Sequence, residues 1–262
     1  MPTATNNLDT DDFMDPKNLA QLADDTSIYA EKDHNMKEKF KNTFEYSKTK
    51  YQSANIKKTL YCNFSDKPSY EPLKINDEIT INSVDDKKGY KYIGTSFYPT
   101  SDVQEIIKKN INKRKVHLAK FYAWLDVNET TPIDNKLMVL DNCVFGAMLY
   151  GSECWGDITF LEKELLTIEM KALKAILKVK KGTTNDLIYH ELRRPSIVSK
   201  IRDQQKKFFE KISQLGEDEA IVVSIMKLCT NTNIMKYYRN LPDNNSKTDV
   251  EQREERIRNS TI

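Results

Sequence analysis

Residues 19–30 read LAQLADDTSIYA, two short apolar runs on either side of Asp24 and Asp25. Short apolar runs around a polar pair predict a β-hairpin, with the two aspartates at or beside its tight turn. Working outward, Asp33 offers an N-cap. Met36, Phe40 and Phe44 then recur every fourth residue, which predicts a helix ending before Ser53. Residues 58–64 alternate, with Leu60, Cys62 and Phe64 on one side and Thr59, Tyr61 and Asn63 on the other, as in a half-buried strand. Residues 73–81 repeat the alternation around Asn76 and Asp77, a second hairpin. Residues 89–97 make a further strand with Tyr90, Tyr92 and Phe97. To about residue 98 the expectation is α+β with antiparallel strands.

Past Pro99 the period changes. Val103, Ile107, Ile111, Leu118, Phe121, Tyr122 and Leu125 fit one amphipathic helix opened by Ser101 or Asp102. A second runs through Ile133, Leu137, Leu140, Val144 and Met148 and closes at Tyr150-Gly151. Thr159 and Glu162 form a capping-box pattern ahead of Leu161, Leu165, Ile168, Leu173, Ile176 and Leu177, and Gly182 stops that helix. A fourth follows Pro195 through Ile197, Ile201, Phe208, Phe209, Ile212 and Leu215, and residues 217–238 fit a last one. The tail from Asp243 is polar and reads as frayed or disordered. The domain expectation is a lead-in loop at 1–18, an α+β region at 19–98, a helical region at 99–241 and a polar tail at 242–262.

The 262 residues carry 31% charged and 39% hydrophobic side chains, a soluble, folded composition. No apolar stretch reaches the 18 or so residues a membrane span needs, and the first residues lack the apolar core of a secretory signal. Cys62, Cys143, Cys154 and Cys229 stand far apart without a C-x-x-C pair, and His34, His117 and His190 are isolated. They read as reduced thiols of an intracellular protein, not as a zinc site. Charge is unevenly spread: residues 1–31 sum to −6 and the rest to +8, which points to a polyanionic partner for the basic body. Lys108, Lys109, Lys113, Arg114, Lys115 and Lys120 concentrate that charge on the predicted helix after Pro99, against Glu105. Such a helix suits phosphate tracking, although a solvated surface would read the same. Lys171, Lys174, Lys178, Lys180 and Lys181 form a second cluster, where a helix C-terminus favours lysine in any case.

An Asp-Asp pair on a rigid turn suits Mg²⁺, because hard oxygen ligands can be aimed at one point; turns also favour Asp for local hydrogen bonding. Four segments in order bear on that choice: Ala23-Asp24-Asp25, Asn55-Ile56-Lys57-Lys58-Thr59, Tyr90-Lys91-Tyr92-Ile93-Gly94 and Leu149-Tyr150-Gly151-Ser152-Glu153-Cys154-Trp155. Together they resemble the reverse transcriptases of non-LTR (LINE-like) retrotransposons: the Asp-Asp hairpin of the palm, the following N-x-x-K-T motif, the Y-K-Y-L-G strand that grips the primer end, and the L-Y-G-x-E-x-W segment beyond the thumb. The resemblance covers residues 19 to about 215.

It implies a metal-dependent, RNA-directed DNA polymerase (a nucleotidyltransferase) with a partial palm, thumb and following helices. Its partners would be an RNA template, a DNA primer, their hybrid duplex and a dNTP. Asp24 would be the metal-coordinating catalytic aspartate, with Asp25 shaping the Mg²⁺ site. Lys58 would stand near the incoming triphosphate. Tyr90, Tyr92 and Gly94 would shape the turn at the primer 3′ end, and Trp155 with Tyr150 would be core or a stacking platform for bases. The family's palm has another essential aspartate on an earlier strand. Here Asp9, Asp11, Asp12 and Asp15 stand in a lead-in without strand pattern. Two Mg²⁺ ions would then repel each other with too few ligands, so this chain is expected to be inactive by itself. The alternative is a non-catalytic nucleic-acid-binding module using the basic helices.

Overall fold

Alternation and turn chemistry shape the first hundred residues, and helical periodicity shapes the rest. The computed structural model describes residues 19–22, 25–28, 30, 33–49, 55–64, 69–92, 94–100, 102–214, 233–242 and 245–260, without the side chains of 19–27, 33–34, 233–235, 245 and 260. The architecture is α+β. The chain divides into two units, one of residues 1–92, 96–102 and 216–228, the other of 93–95, 103–215 and 229–262.

In the first unit, β1 (Leu19–Leu22) and β2 (Asp25–Ile28) pair antiparallel, Leu22 opposite Asp25 and Leu19 opposite Ile28. Helix α1 (Asp33–Thr49) follows and buries Phe40, with Met36 and Phe44 half-buried beside it at the predicted four-residue spacing. Strands β3 (Leu60–Tyr61), β4 (Leu73–Lys74) and β5 (Thr80–Ser83) form a sheet of order β3-β5-β4. The β4–β5 turn is closed by Asn76, whose Oδ1 accepts from the amides of Glu78 (3.0 Å) and Ile79 (2.7 Å). Phe40, Tyr61, Leu73 and Ile81 make this unit's cluster, and each buried side chain of that size contributes about 1.5–3 kcal/mol. Strands β6 (Tyr90–Tyr92) and β7 (Thr95–Phe97) form a separate two-stranded sheet.

One expectation for this region needs correcting. The strands are not all antiparallel: β3 runs parallel to β5, Tyr61 opposite Ser83. Because β4 occupies one edge of β5 through a local turn, β3 joins the other edge after a crossover. Of the two faces read from the alternation at 58–64, that of Tyr61, 8% exposed, is the inward one, while Leu60 and Phe64 stay exposed.

The second unit is helical: α2 (Val103–Arg114), α3 (Val116–Val127), α4 (Ile133–Val139), α5 (Gly146–Met148), α6 (Thr159–Leu177), α7 (Asn185–Glu191), α8 (Ile197–Ser213), α9 (Asn233–Arg239) and α10 (Asn245–Ser260). Its core joins Ile107 and Ile111 of α2, Leu118, Phe121 and Leu125 of α3, Leu161, Leu165, Leu173 and Ile176 of α6, and Ile197 and Ile201 of α8. These are the predicted apolar stripes.

Local details differ from the sequence pattern. The first predicted helix is interrupted at Lys115, where the Leu118 amide bonds back to the Lys115 carbonyl at 3.0 Å, a tighter i→i+3 turn. The second passes through a π-helical turn, Leu140–Phe145, before α5. The capping box does not form. The Asp157 carboxylate instead accepts from the Thr159 amide (2.9 Å) and hydroxyl (3.1 Å), and Glu162 pairs with Arg202. Helix α6 ends at Leu177 rather than at Gly182, with Lys178 in the left-handed region (φ 53°) and Lys174 Nζ donating to the carbonyls of Lys181 and Thr183. The tail expected to be frayed or disordered is α10, held by charged contacts that no apolar pattern announces. Residues 215–232, which include most of the last predicted helix, lie outside the described residues.

Candidate functional site

The Asp24-Asp25 pair falls only in part on described residues. Asp25 opens β2 with its backbone opposite Leu22, while Asp24 and the Asp25 side chain lie outside them. The Asn55–Thr59 segment is a turn built by its own polar groups. The Lys58 and Thr59 amides donate to the Asn55 carbonyl (2.9 and 3.0 Å), the Thr59 hydroxyl donates to the same oxygen (3.0 Å), and Asn55 Oδ1 accepts from the Lys58 amide (3.3 Å). Asn and Thr at this spacing therefore have a local reason, and Lys58 is left exposed on the turn.

Tyr90 and Tyr92 stack with ring centroids 6.5 Å apart on β6. Gly94 follows at φ +77°, a conformation that favours glycine, and a Cβ there would meet Tyr150 Cε1 at 3.1 Å. Gly151 is likewise left-handed, at φ +81°. Between these two turns lies the guanidinium of Arg114. It donates to the carbonyls of Gly94 (3.0 Å), Tyr150 (2.9 Å) and Met148 (3.3 Å), and sits 5.7 Å from the centroid of the Tyr150 ring. Met148 and Tyr150 present carbonyls at the end of α5, where a cation is favourable. Burial holds the Arg114 pKa below its ordinary value. The third and fourth sequence segments thus meet on one arginine.

The six basic residues differ in exposure and in the contacts described for them. Arg114 is engaged as described, Lys115 Nζ pairs with Glu164 (2.6 Å) and donates to Asn112 (2.7 Å), and Lys109 pairs with Glu105 (2.8 Å). Lys108, Lys113 and Lys120 are exposed, Lys108 lying 5.2 Å from the Phe160 ring centroid. In the second cluster Lys174 binds carbonyls and Lys178 pairs with Glu129 at 2.9 Å. Trp155 packs against the core and Tyr150 is exposed. The Glu153 carbonyl accepts from the Tyr238 hydroxyl at 2.8 Å.

The most buried charged group among the described residues has no counterpart in the sequence expectations. Glu169 is fully buried on α6. Its Oε2 accepts from the Tyr189 hydroxyl (2.6 Å) and the Ile197 amide (2.8 Å), and Arg194 stands 3.7 Å from its Oε1. Burial raises its pKa above the ordinary carboxylate value. Arg194 also donates to Asp141 Oδ1 (2.7 Å), which Lys200 approaches as well. The signal was present: position 169 is four residues from both Leu165 and Leu173, so an acid stood on the apolar stripe. Helix α10 adds Arg253, whose guanidinium lies 3.6 Å from the Tyr189 ring centroid and pairs with Asp249 (2.9 Å). Arg256 pairs with Asp186 (3.0 Å), and the Ser196 amide donates to Asp249 (2.7 Å).

Among the described residues no group of three or more His, Cys, Asp or Glu side chains is placed to hold a metal ion, and no helix is long and apolar enough to cross a membrane. The Mg²⁺ expectation rests on Asp24 and Asp25, whose carboxylates are outside that set. In comparisons with known proteins, no family profile, no curated protein and no solved structure matches the chain.

Proposed function

We propose that this chain is the carboxy-terminal part of a reverse transcriptase of a non-LTR retrotransposon. It comprises a partial palm followed by helices that bind the hybrid of RNA template and DNA primer. The observation that carries the reading is the β1–β2 register: Leu22 lies opposite Asp25 in antiparallel strands, so Asp25 opens the second strand of a pair where the resemblance expects an Asp-Asp hairpin. The order of the four segments supports it, as does the shared anchoring of the Gly94 and Tyr150 segments.

In this reading Asp24 and Asp25 serve Mg²⁺, Lys58 faces the dNTP triphosphate, and nucleotidyl transfer needs the further carboxylate that the resemblance expects on an earlier strand. Exposed Lys108, Lys113 and Lys120 favour the second reading, a binding module that holds duplex without catalysis. The test combines two assays. Hybrid-duplex affinity should fall with salt by roughly 0.7–0.9 log units per log unit of salt for each phosphate contacted. Primer extension with Mg²⁺ or Mn²⁺ should give no template-dependent product from these residues alone. Absence of hybrid binding at low salt overturns both readings. Asp24→Ala with Asp25→Ala should leave the affinity intact if the helices carry it.

A further inference from the structure

The sequence assigned Arg114 to phosphate, whereas its guanidinium is spent on three main-chain carbonyls: Gly94, Met148 and Tyr150. A planar fork with several donors can bridge acceptors that a lysine ammonium meets only as a point charge. The surroundings leave little slack. Gly94 and Gly151 both hold left-handed backbones, and a methyl group at Gly94 would press on the Tyr150 ring at 3.1 Å. Tyr150 lies against the guanidinium from one direction and against Gly94 from another.

We propose that Arg114 is a positioning residue of the nucleic-acid site: it fastens the Gly94 turn to the Leu149–Gly151 segment and contacts no phosphate. This rests on the nucleic-acid reading above and changes which residues serve it. The duplex is met by the exposed Lys108, Lys113 and Lys120, while Arg114 fixes the turn that borders the primer end. The Gly94 and Tyr150 segments thereby supply acceptors to one cation.

Arg114→Lys separates the roles. A phosphate contact keeps most of its affinity with lysine, because charge is what the phosphate reads. A carbonyl clasp does not. The expected result is that Arg114→Lys and Arg114→Ala both lower hybrid affinity about five- to tenfold, the scale of one lost hydrogen bond, with the salt slope unchanged. Lys113→Ala should instead reduce that slope by about 0.7–0.9. Gly94→Ala should reproduce the loss and combine with Arg114→Ala less than additively, as neighbours in one contact do. Restoration by lysine, or a slope reduced by Arg114→Ala, overturns the proposal.

Amide exchange on the protein without nucleic acid supplies the independent arm. In Arg114→Ala, residues 94–97 and 149–152 should exchange faster while 161–176 stay protected. Unchanged exchange at 94–97 overturns the clasp, and acceleration throughout the helical unit overturns a local positioning role. Failure of the wild-type protein to bind hybrid, with exchange as expected, overturns the nucleic-acid reading alone.

Discussion

The Tyr189 hydroxyl donates to Glu169 Oε2 over 2.6 Å inside the helical unit, one of two hydrogen bonds that hold a fully buried carboxylate. Removing that hydroxyl leaves the buried acceptor with the Ile197 amide and the more distant Arg194. Tyr189→Phe should therefore destabilise the protein by about 1–3 kcal/mol, the range for a buried polar group that loses its partner. Urea unfolding measures it; a loss within experimental error would mean that the pair adds nothing net.

The same carboxyl should shape the pH dependence of stability. Burial raises its pKa in the folded state, so between the unfolded value of about 4.3 and the raised folded value the native protein binds more protons than the unfolded chain. Stability then falls as pH rises through that window, and Glu169→Gln should remove this component. A Gln variant with the wild-type pH slope would refute the assignment.

Asp186 and Asp249 act in the opposite sense. The Arg256 hydrogen bond holds the Asp186 carboxyl below the usual range. For Asp249, burial opposes ionisation but is outweighed by the Ser196 amide and Arg253. Their contribution is present above about pH 4 and lost as pH falls through their lowered folded values. Relative to the intrinsic rate, the amides of helix α10 should thus exchange faster in acid. Arg253→Ala, which removes the Tyr189 ring contact and the Asp249 pair, should cause the same acceleration at neutral pH.

The two left-handed glycines should differ in their tolerance of a side chain. Gly94→Ala meets backbone strain and the Tyr150 ring at 3.1 Å; Gly151→Ala meets the strain with its nearest neighbour at 3.9 Å. Each strained backbone costs about 1–2 kcal/mol, and only Gly94→Ala adds a steric cost. Thermal unfolding should show the larger fall for Gly94→Ala.

Thiol reactivity should follow burial. Cys143 is exposed, whereas burial pushes the Cys62 thiol up to about 11. Since the thiolate is the nucleophile, alkylation at pH 8 followed by peptide mapping should label Cys143 well before Cys62. Equal rates would show that Cys62 is more open than its packing implies.

Elements governed by near neighbours were legible in the sequence. The α1 stripe of Met36, Phe40 and Phe44, the Asn76 turn, and the apolar positions of α2, α3, α6 and α8 follow from spacing alone. What depended on distant partners was not. The parallel pairing of β3 is decided by an edge of β5 that β4 leaves free. Helix α10 is decided by Asp186, Tyr189 and Ser196. Arg114 and Lys113 are adjacent and alike in charge, yet the carbonyls of Gly94, Met148 and Tyr150 engage only Arg114 among the contacts described.

The mixed order β3-β5-β4 has a kinetic consequence. β4 and β5 meet across a short turn, which closes quickly, but Tyr61 must find Ser83 across a far longer loop whose closure is entropically slower. β3 should therefore be the last strand to dock and the first to detach. Each detachment bares a row of main-chain donors and acceptors along β5, ready to recruit a strand from a neighbouring molecule.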